Sequence, residues 1–162
     1  MLATKDNSQK KKLPKWRFIE KFDDLSEDMI KQILKILLNE AGVKYTKKSL
    51  GRLPLSFDSP TMVLENQNKI EGVFASTRLD SKTTRILVFA IDSKFQRRGY
   101  GSICWDSYIA VAKKRGYQNI QLEVKSSNIN AINFYFDKGM EITGKISKYY
   151  ENEIGFLMEG EC

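Results

Sequence analysis

Ile86-Leu87-Val88-Phe89-Ala90-Ile91 is an unbroken apolar run that stops at Asp92-Ser93. A run of this length reads as a strand, and one apolar at every position must be covered on both faces. It therefore belongs in the middle of a sheet. A turn carrying Gly99 and Gly101 follows, then a helical stretch from about Gly101 to Arg115 closed by Gly116. After it Ile120, Leu122 and Val124 alternate with Gln121, Glu123 and Lys125, the period of a second strand. The segment is thus strand, helix, strand, with one crossover.

The remaining elements arrange themselves around that unit. Trp16-Arg17-Phe18-Ile19 predicts a first strand. Ile30, Ile33, Leu34, Leu37, Leu38 and Ala41 recur at helical spacing, with Ser26 placed as N-cap and Gly42 just past the end. Residues 43–59 read as irregular or as one short helix, and Leu53 and Leu55 around Pro54 suggest a loop over the core. Thr61–Leu64 and Ile70–Thr77 form a hairpin through Asn66-Gln67-Asn68, since Asn tolerates positive φ. Asp80-Ser81-Lys82 makes the next turn. A short helix is expected from about Asn130 to Lys138, stopped by Gly139, and then two strands within Ile142–Met158 around Tyr149–Asn152. The order β, α, several antiparallel strands, then β–α–β–α–β–β specifies a mixed α+β domain, with no internal repeat and no interdomain linker.

Composition narrows the chemistry. The chain has 162 residues, which suits one domain, and 41% hydrophobic residues, enough for a core. It contains no histidine and only two cysteines, Cys104 and Cys162. Zinc sites of the His/Cys kind and triads with a histidine base are thereby excluded, and no metal is expected. No apolar run approaches the ~20 residues that cross a bilayer, so no membrane partner is expected. The N-terminus lacks an export signal, and two thiols then fit a reducing, cytoplasmic setting. The net charge is +7, yet residues 1–21 carry seven basic residues against Asp6 and Glu20, so the rest is only about +2. Residues 1–14 read as a flexible basic tail and residues 15–162 as the single domain. The tail could touch nucleic acid or ribosomes, but a solvated extension is the simpler reading.

Gln96-Arg97-Arg98-Gly99-Tyr100-Gly101-Ser102 stands between the apolar strand and a helix. Two glycines let a ligand approach the backbone, and the amides from about Arg98 to Ser102 can face one concavity at the positive end of the helix dipole. Such a cradle suits a pyrophosphate, with Arg97 and Arg98 able to add charge-assisted hydrogen bonds. It is neither a Rossmann fingerprint nor a P-loop, and a glycine-rich turn that merely starts a helix is the plain alternative. The stretch Ile91–Gly101 resembles the acetyl-CoA signature of the GNAT N-acetyltransferase superfamily: an apolar strand end, a short link, then Gln/Arg-x-x-Gly-x-Gly/Ala. A second block, Leu122-Glu123-Val124 through Asn128, Ala131-Ile132 and Tyr135 to Gly139-Met140, is similar to a later part of the same family pattern, with Met140 where an aromatic is usual.

The resemblance covers roughly residues 70–160 and implies a GNAT fold: a central, mostly antiparallel mixed sheet of about six to seven strands flanked by about four helices. It implies acetyl-CoA as co-substrate, held by the loop Gln96, Arg97, Arg98, Gly99, Tyr100, Gly101 and Ser102, by the backbone of Phe89 and Ile91, and by Asn128 and Asn130. It implies Tyr135 as the acid that protonates the leaving thiolate and Glu123 as the base that takes the proton of the amine, with Glu65 and Glu71 in reserve. Packed aromatic, exposed strand carboxylate and helix cap are the structural alternatives for Tyr135, Glu123 and the asparagines. Tyr149-Tyr150 resembles the acceptor-holding end of acetyltransferases that act on protein N-termini, ribosomal-protein enzymes among them. The usual acidic-acidic-small triplet is replaced by Glu153-Ile154-Gly155. The expected activity is direct acetyl transfer to a primary amine in a ternary complex, on a protein N-terminus or lysine. A small-amine acetyltransferase and a non-catalytic acyl-CoA-binding module are the rivals, and a homodimer is one open assembly.

Overall fold

The computed structural model describes residues 13–53, 60–150 and 152–162, with the side chains of Phe22 and Tyr150 outside the description. The expected tail (apart from its last two residues), the segment around Pro54 and Leu55, and Glu151 lie outside the described residues.

Seven strands form one sheet in the order β1-β2-β3-β4-β5-β7-β6. They are β1 (Lys15–Phe18), β2 (Thr61–Asn66), β3 (Lys69–Arg78), β4 (Thr83–Ile91), β5 (Asn119–Lys125), β6 (Glu141–Tyr150) and β7 (Glu153–Glu161). The helices are α1 (Glu27–Ala41), α2 (Lys47–Leu50), α3 (Tyr100–Lys114) and α4 (Ile129–Asp137). All described pairings are antiparallel except β4 with β5, which α3 joins as a crossover. The architecture is the mixed α+β arrangement that the sequence implied.

Local chemistry sets the ends of these elements. The Ser26 side chain accepts a hydrogen bond from Met29 N at 3.2 Å and starts α1. Gly42 follows it with a left-handed φ of 63°. Gln67 and Asn68 have φ of 50° and 67°, the paired positive values that a two-residue hairpin turn between β2 and β3 requires. Asp80 Oδ1 accepts from Lys82 N at 2.7 Å and Thr83 N at 2.8 Å and closes the turn before β4.

β4 is indeed covered on both faces. One buried cluster joins Ile86 to Cys104, Trp105 and Tyr108 of α3 and to Ile132 and Tyr135 of α4. The other joins Val88 and Ala90 to Ile33, Ile36 and Leu37 of α1. The switch of face between Ile86 and Val88 has a definite cause. Ser76 pairs with Ile86 and Ala75 with Val88, so Leu87 has no partner in β3 and forms a bulge. A bulge bends its strand and shifts the side-chain alternation by one. At that same point the ladder to β5 ends: Thr83 to Ile86 pair with Asn119 to Leu122, and no further pairs follow. β5 instead stays with β7 as far as Lys125 opposite Gly155. β4 and β5 therefore part beyond Ile86 and leave a wedge between them.

Ile33 is only 1% exposed at the centre of the α1 contact. Ile33→Ala should lower the unfolding free energy by about 2–5 kcal/mol. Urea denaturation should show this as a lower midpoint with an unchanged slope.

Candidate active site

Next to the wedge, a cleft of about 480 Å3 lies between the end of β4, the loop before α3 and α4. Phe89 and Ile91 of β4 form one wall, the segment Gln96, Arg97, Gly99, Gly101 and Ser102 the end, and Asn128, Asn130 and Tyr135 the opposite wall. Most of the residues that the sequence singled out for the donor thus meet on one surface. Arg97 and Gly99 have φ of 57° and 86°, so the loop turns its amides outward rather than pairing them along a strand. Gly99 has open space where a side chain would be, and its left-handed φ favours glycine as well. Just beyond it, the amides of Tyr100, Gly101 and Ser102 open α3 and have no carbonyl one turn back. Free amides at the positive end of a fifteen-residue helix have the chemistry to take an anion.

Two members of the loop do other work. The Arg98 guanidinium lies over the Phe95 ring, 5.4 Å from its centroid, and Tyr100 packs on the same ring at 6.3 Å. Neither side chain lines the cleft. The Tyr100 carbonyl accepts a hydrogen bond from Trp16 Nε1 at 2.9 Å, which ties β1 to the loop. Gly101 has its own packing reason, since a Cβ there would come within 3.3 Å of the Phe134 ring. The Gln96 side chain donates to the Ile91 carbonyl at 2.7 Å and so folds the loop back on β4. Asn128 caps α4, with Oδ1 accepting from Ala131 N at 3.2 Å, and lines the cleft as well.

A smaller cavity of about 90 Å3 adjoins this cleft. Its apolar walls come from Leu37, Ala41, Val43 and Leu87, and its polar ones from Glu123, Lys125 and Tyr149. Tyr135 lines both spaces. It is 7% exposed and packs beside Trp105 and Phe134, with ring centroids 6.1 and 5.5 Å away. Burial pushes its phenol well above the ordinary tyrosine value, with smaller contributions from Cys104 and Tyr149. Among the described residues its hydroxyl has no hydrogen-bond partner.

Glu123 is on the side of β5 that carries Gln121 and Lys125, as its spacing implies. Its Oε1 accepts a short hydrogen bond from Arg85 Nη2 of β4, an ion pair made where the two strands begin to part. Tyr149 packs against Gly155, where any side chain would collide with it. That explains the glycine in the departing triplet. The Tyr150 side chain is outside the description. Neither reserve carboxylate reaches either space: Glu65 pairs with Arg17 at 2.7 Å, and Glu71 is raised above its usual range by burial and by Asp92. Among the described residues no group of three or more His, Cys, Asp or Glu is placed to hold a metal ion, and no helix is long and apolar enough to cross a membrane.

Three polar residues of this region escaped the sequence reading. Arg85 is the partner of Glu123, Lys138 Nζ donates to Ser102 Oγ at 3.1 Å, and Glu40 lines the cleft from the end of α1. Arg85 and Lys138 have ordinary places on a strand and a helix end, so nothing in the sequence marked them. Glu40 left a trace: it is an acid in the last turn of a helix that has no base there, against the preference set by the helix dipole.

Comparison with known proteins places the chain in a family. The Acetyltransferase (GNAT) family matches residues 30–140. The [Ribosomal protein bS18]-alanine N-acetyltransferase of Escherichia coli K12 is 30% identical over 89 residues, 55% of this chain. The match spans 60% of the length of that relative, less than two thirds. Among solved structures, Ard1 from Thermoplasma volcanium superposes with a TM-score of 0.79 at 25% identity, over 91% of this chain and 97% of that one. A GNAT family acetyltransferase from Elizabethkingia anophelis with acetyl-CoA bound superposes with a TM-score of 0.71 at 17% identity, over 92% and 98%. The chain belongs to the GNAT acetyltransferase family.

Proposed function

We propose that the protein transfers an acetyl group from acetyl-CoA to a primary amine by direct attack in a ternary complex. The acceptor is a protein N-terminus or a lysine. The observation that carries this reading is Tyr135, which faces both the long cleft and the small cavity. The cleft runs from the loop and helix start, suited to a pyrophosphate, to Tyr135, as an extended thioester carrier needs. The small cavity offers the amine a place beside the thioester.

In this scheme the amides from Arg97 to Ser102 hold the pyrophosphate, and Arg97 adds charge. The pantetheine arm runs along β4 from Ile91 towards Phe89, where β5 no longer occupies the edge. Asn128 and Asn130 face it from the start of α4. Glu123 takes a proton from the ammonium so that its lone pair is free to attack the thioester carbon. Arg85 holds Oε1, which leaves Oε2 for the proton. The tetrahedral intermediate then breaks its C–S bond, the Tyr135 hydroxyl protonates the departing sulfur, and the surplus proton on the new amide nitrogen returns to the Tyr135 oxygen.

An ordinary phenol near pKa ~10 gives its proton to a thiolate near ~8.5 at a cost of about 2 kcal/mol. Burial raises the phenol further. The same burial also raises the thiol that shares the pocket, which offsets part of that cost. A matching of this kind favours transfer concerted with C–S cleavage. Tyr149 lies beside the acceptor space, where it can contact the acceptor chain. The free thiols Cys104 and Cys162 suit a reducing compartment, and we place the reaction in the cytoplasm.

Tyr135→Phe should lower kcat by about 100-fold or more while acetyl-CoA affinity changes less than about threefold. Equal turnover in steady-state assays would remove the acid role. Because the phenol is held protonated, kcat should show no tyrosine-dependent fall below about pH 10. Gly99→Trp fills the open end of the cleft and forces a bulky residue to positive φ. Calorimetry should then show loss of acetyl-CoA binding, with circular dichroism unchanged. The acceptor is settled by a screen of peptides with free N-termini, peptides with internal lysines and small amines. Turnover confined to small amines would overturn the protein-acceptor assignment, and acetyl-CoA binding with no turnover of any amine would overturn catalysis.

A further inference from the structure

The last turn of α1 touches both spaces of the site. Glu40 lines the long cleft, while Leu37, Ala41 and, just past the helix, Val43 line the small cavity. The two carboxylate oxygens of Glu40 reach the segment that delivers the loop. Oε1 accepts from Ser93 N at 3.1 Å and Oε2 from Gln96 Nε2 at 3.0 Å. Gln96 Nε2 also donates to the Ile91 carbonyl, so both hydrogens of its amide are used. Glu40, Gln96 and Ile91 thus form a brace from the end of α1 to the end of β4.

The electrostatics of this position are unfavourable for an anion. Glu40 sits at the negative end of the α1 dipole, and α1 has no basic residue in its last turn. It also faces the cleft proposed for a pyrophosphate. A carboxylate placed against two repulsions contributes nothing to holding that ligand directly. What it supplies is a double, charge-assisted acceptor that grips two donors at once.

We infer that Glu40 is a positioning residue that couples the two substrate sites. This rests on the donor assignment above. When a pyrophosphate fills the amides of residues 97–102, segment 93–102 becomes fixed. Through Glu40 the last turn of α1 and the irregular stretch after it become fixed too. That stretch, with Val43 N bonded to Leu37 O at 3.1 Å, walls the acceptor cavity. Donor occupancy thereby orders the acceptor wall, and the amine meets a preformed cavity only beside a loaded donor.

Coenzyme A alone is the probe, so the acceptor need not be known. Calorimetry measures its binding, and hydrogen exchange is followed at the amides of residues 41–46 in the full chain. In the wild type, coenzyme A should slow exchange there by about fivefold or more, the lower end of ordinary site-to-site coupling. Glu40→Ala should bind coenzyme A within about threefold of wild type and lose that slowing, and Glu40→Gln, which keeps one acceptor oxygen, should recover part of it. Equal slowing in Glu40→Ala would overturn the coupling, and so would absence of slowing in a wild type that binds. Outright loss of coenzyme A binding in folded Glu40→Ala would make Glu40 part of the donor site itself and would overturn it as well. Wild-type protein that fails to bind coenzyme A would instead sink the donor assignment on which the inference rests.

Discussion

The parting of β4 from β5 is the constraint from which the rest of the site follows. A parallel strand pair normally continues until one strand ends, because each unmade ladder bond leaves backbone groups to be satisfied elsewhere. Here the ladder stops at Ile86 and Leu122 although both strands run on. Leu87 is the extra residue that makes this stable. By bulging, it turns β4 so that Val88 and Ala90 bury against α1, while β5 keeps its full ladder with β7. The cost of an opened sheet is offset by two complete interfaces on either side. The wedge is therefore part of the packed structure, and exposed main chain of β4 lines one wall of it.

The polar groups around the wedge share a logic. The start of α3, with amides that lack carbonyl partners one turn back, lines the cleft beside it, and the left-handed turn at Gly99 brings it there. Arg85 and Glu123 bridge the strands where they separate, and Gln96 with Glu40 bridges the far end. Tyr135 sits between, desolvated by Trp105 and Phe134 and kept in the form that can donate a proton. An open sheet region would ordinarily be soft. These cross-links, together with the aromatic packing of α3 on α4, hold its two walls at a defined spacing.

Much of this is legible in the sequence. The period of Ile120, Leu122 and Val124 placed Glu123 on the other side of its strand, and the caps at Ser26, Gly42 and Asn128 are where the side chains implied. The spacing from Gln96 to Gly101 located the loop, because a positive φ and a close approach can be met cheaply only by glycine. Arg98 and Tyr100 show the limit of such reading. The motif placed them in the loop without saying where their side chains go, and both pack on Phe95, because which way a loop side chain turns depends on the ring it can reach.

The sequence by itself determined the kinds of elements, their order, the buried central strand and the glycine-marked helix start. These depend on short-range rules: periodicity, capping and allowed backbone angles. Only the tertiary structure decided that Leu87 would bulge and that β5 would follow β7 away from β4. It alone brought Arg85 to Glu123, Glu40 to Gln96, and Tyr135 to the meeting point of two cavities. The residues in each of these pairs are far apart along the chain, and nothing in their own neighbourhoods encodes the meeting. Long-range pairing is set by which packing satisfies both faces of β4 at once, and that choice belongs to the whole sheet.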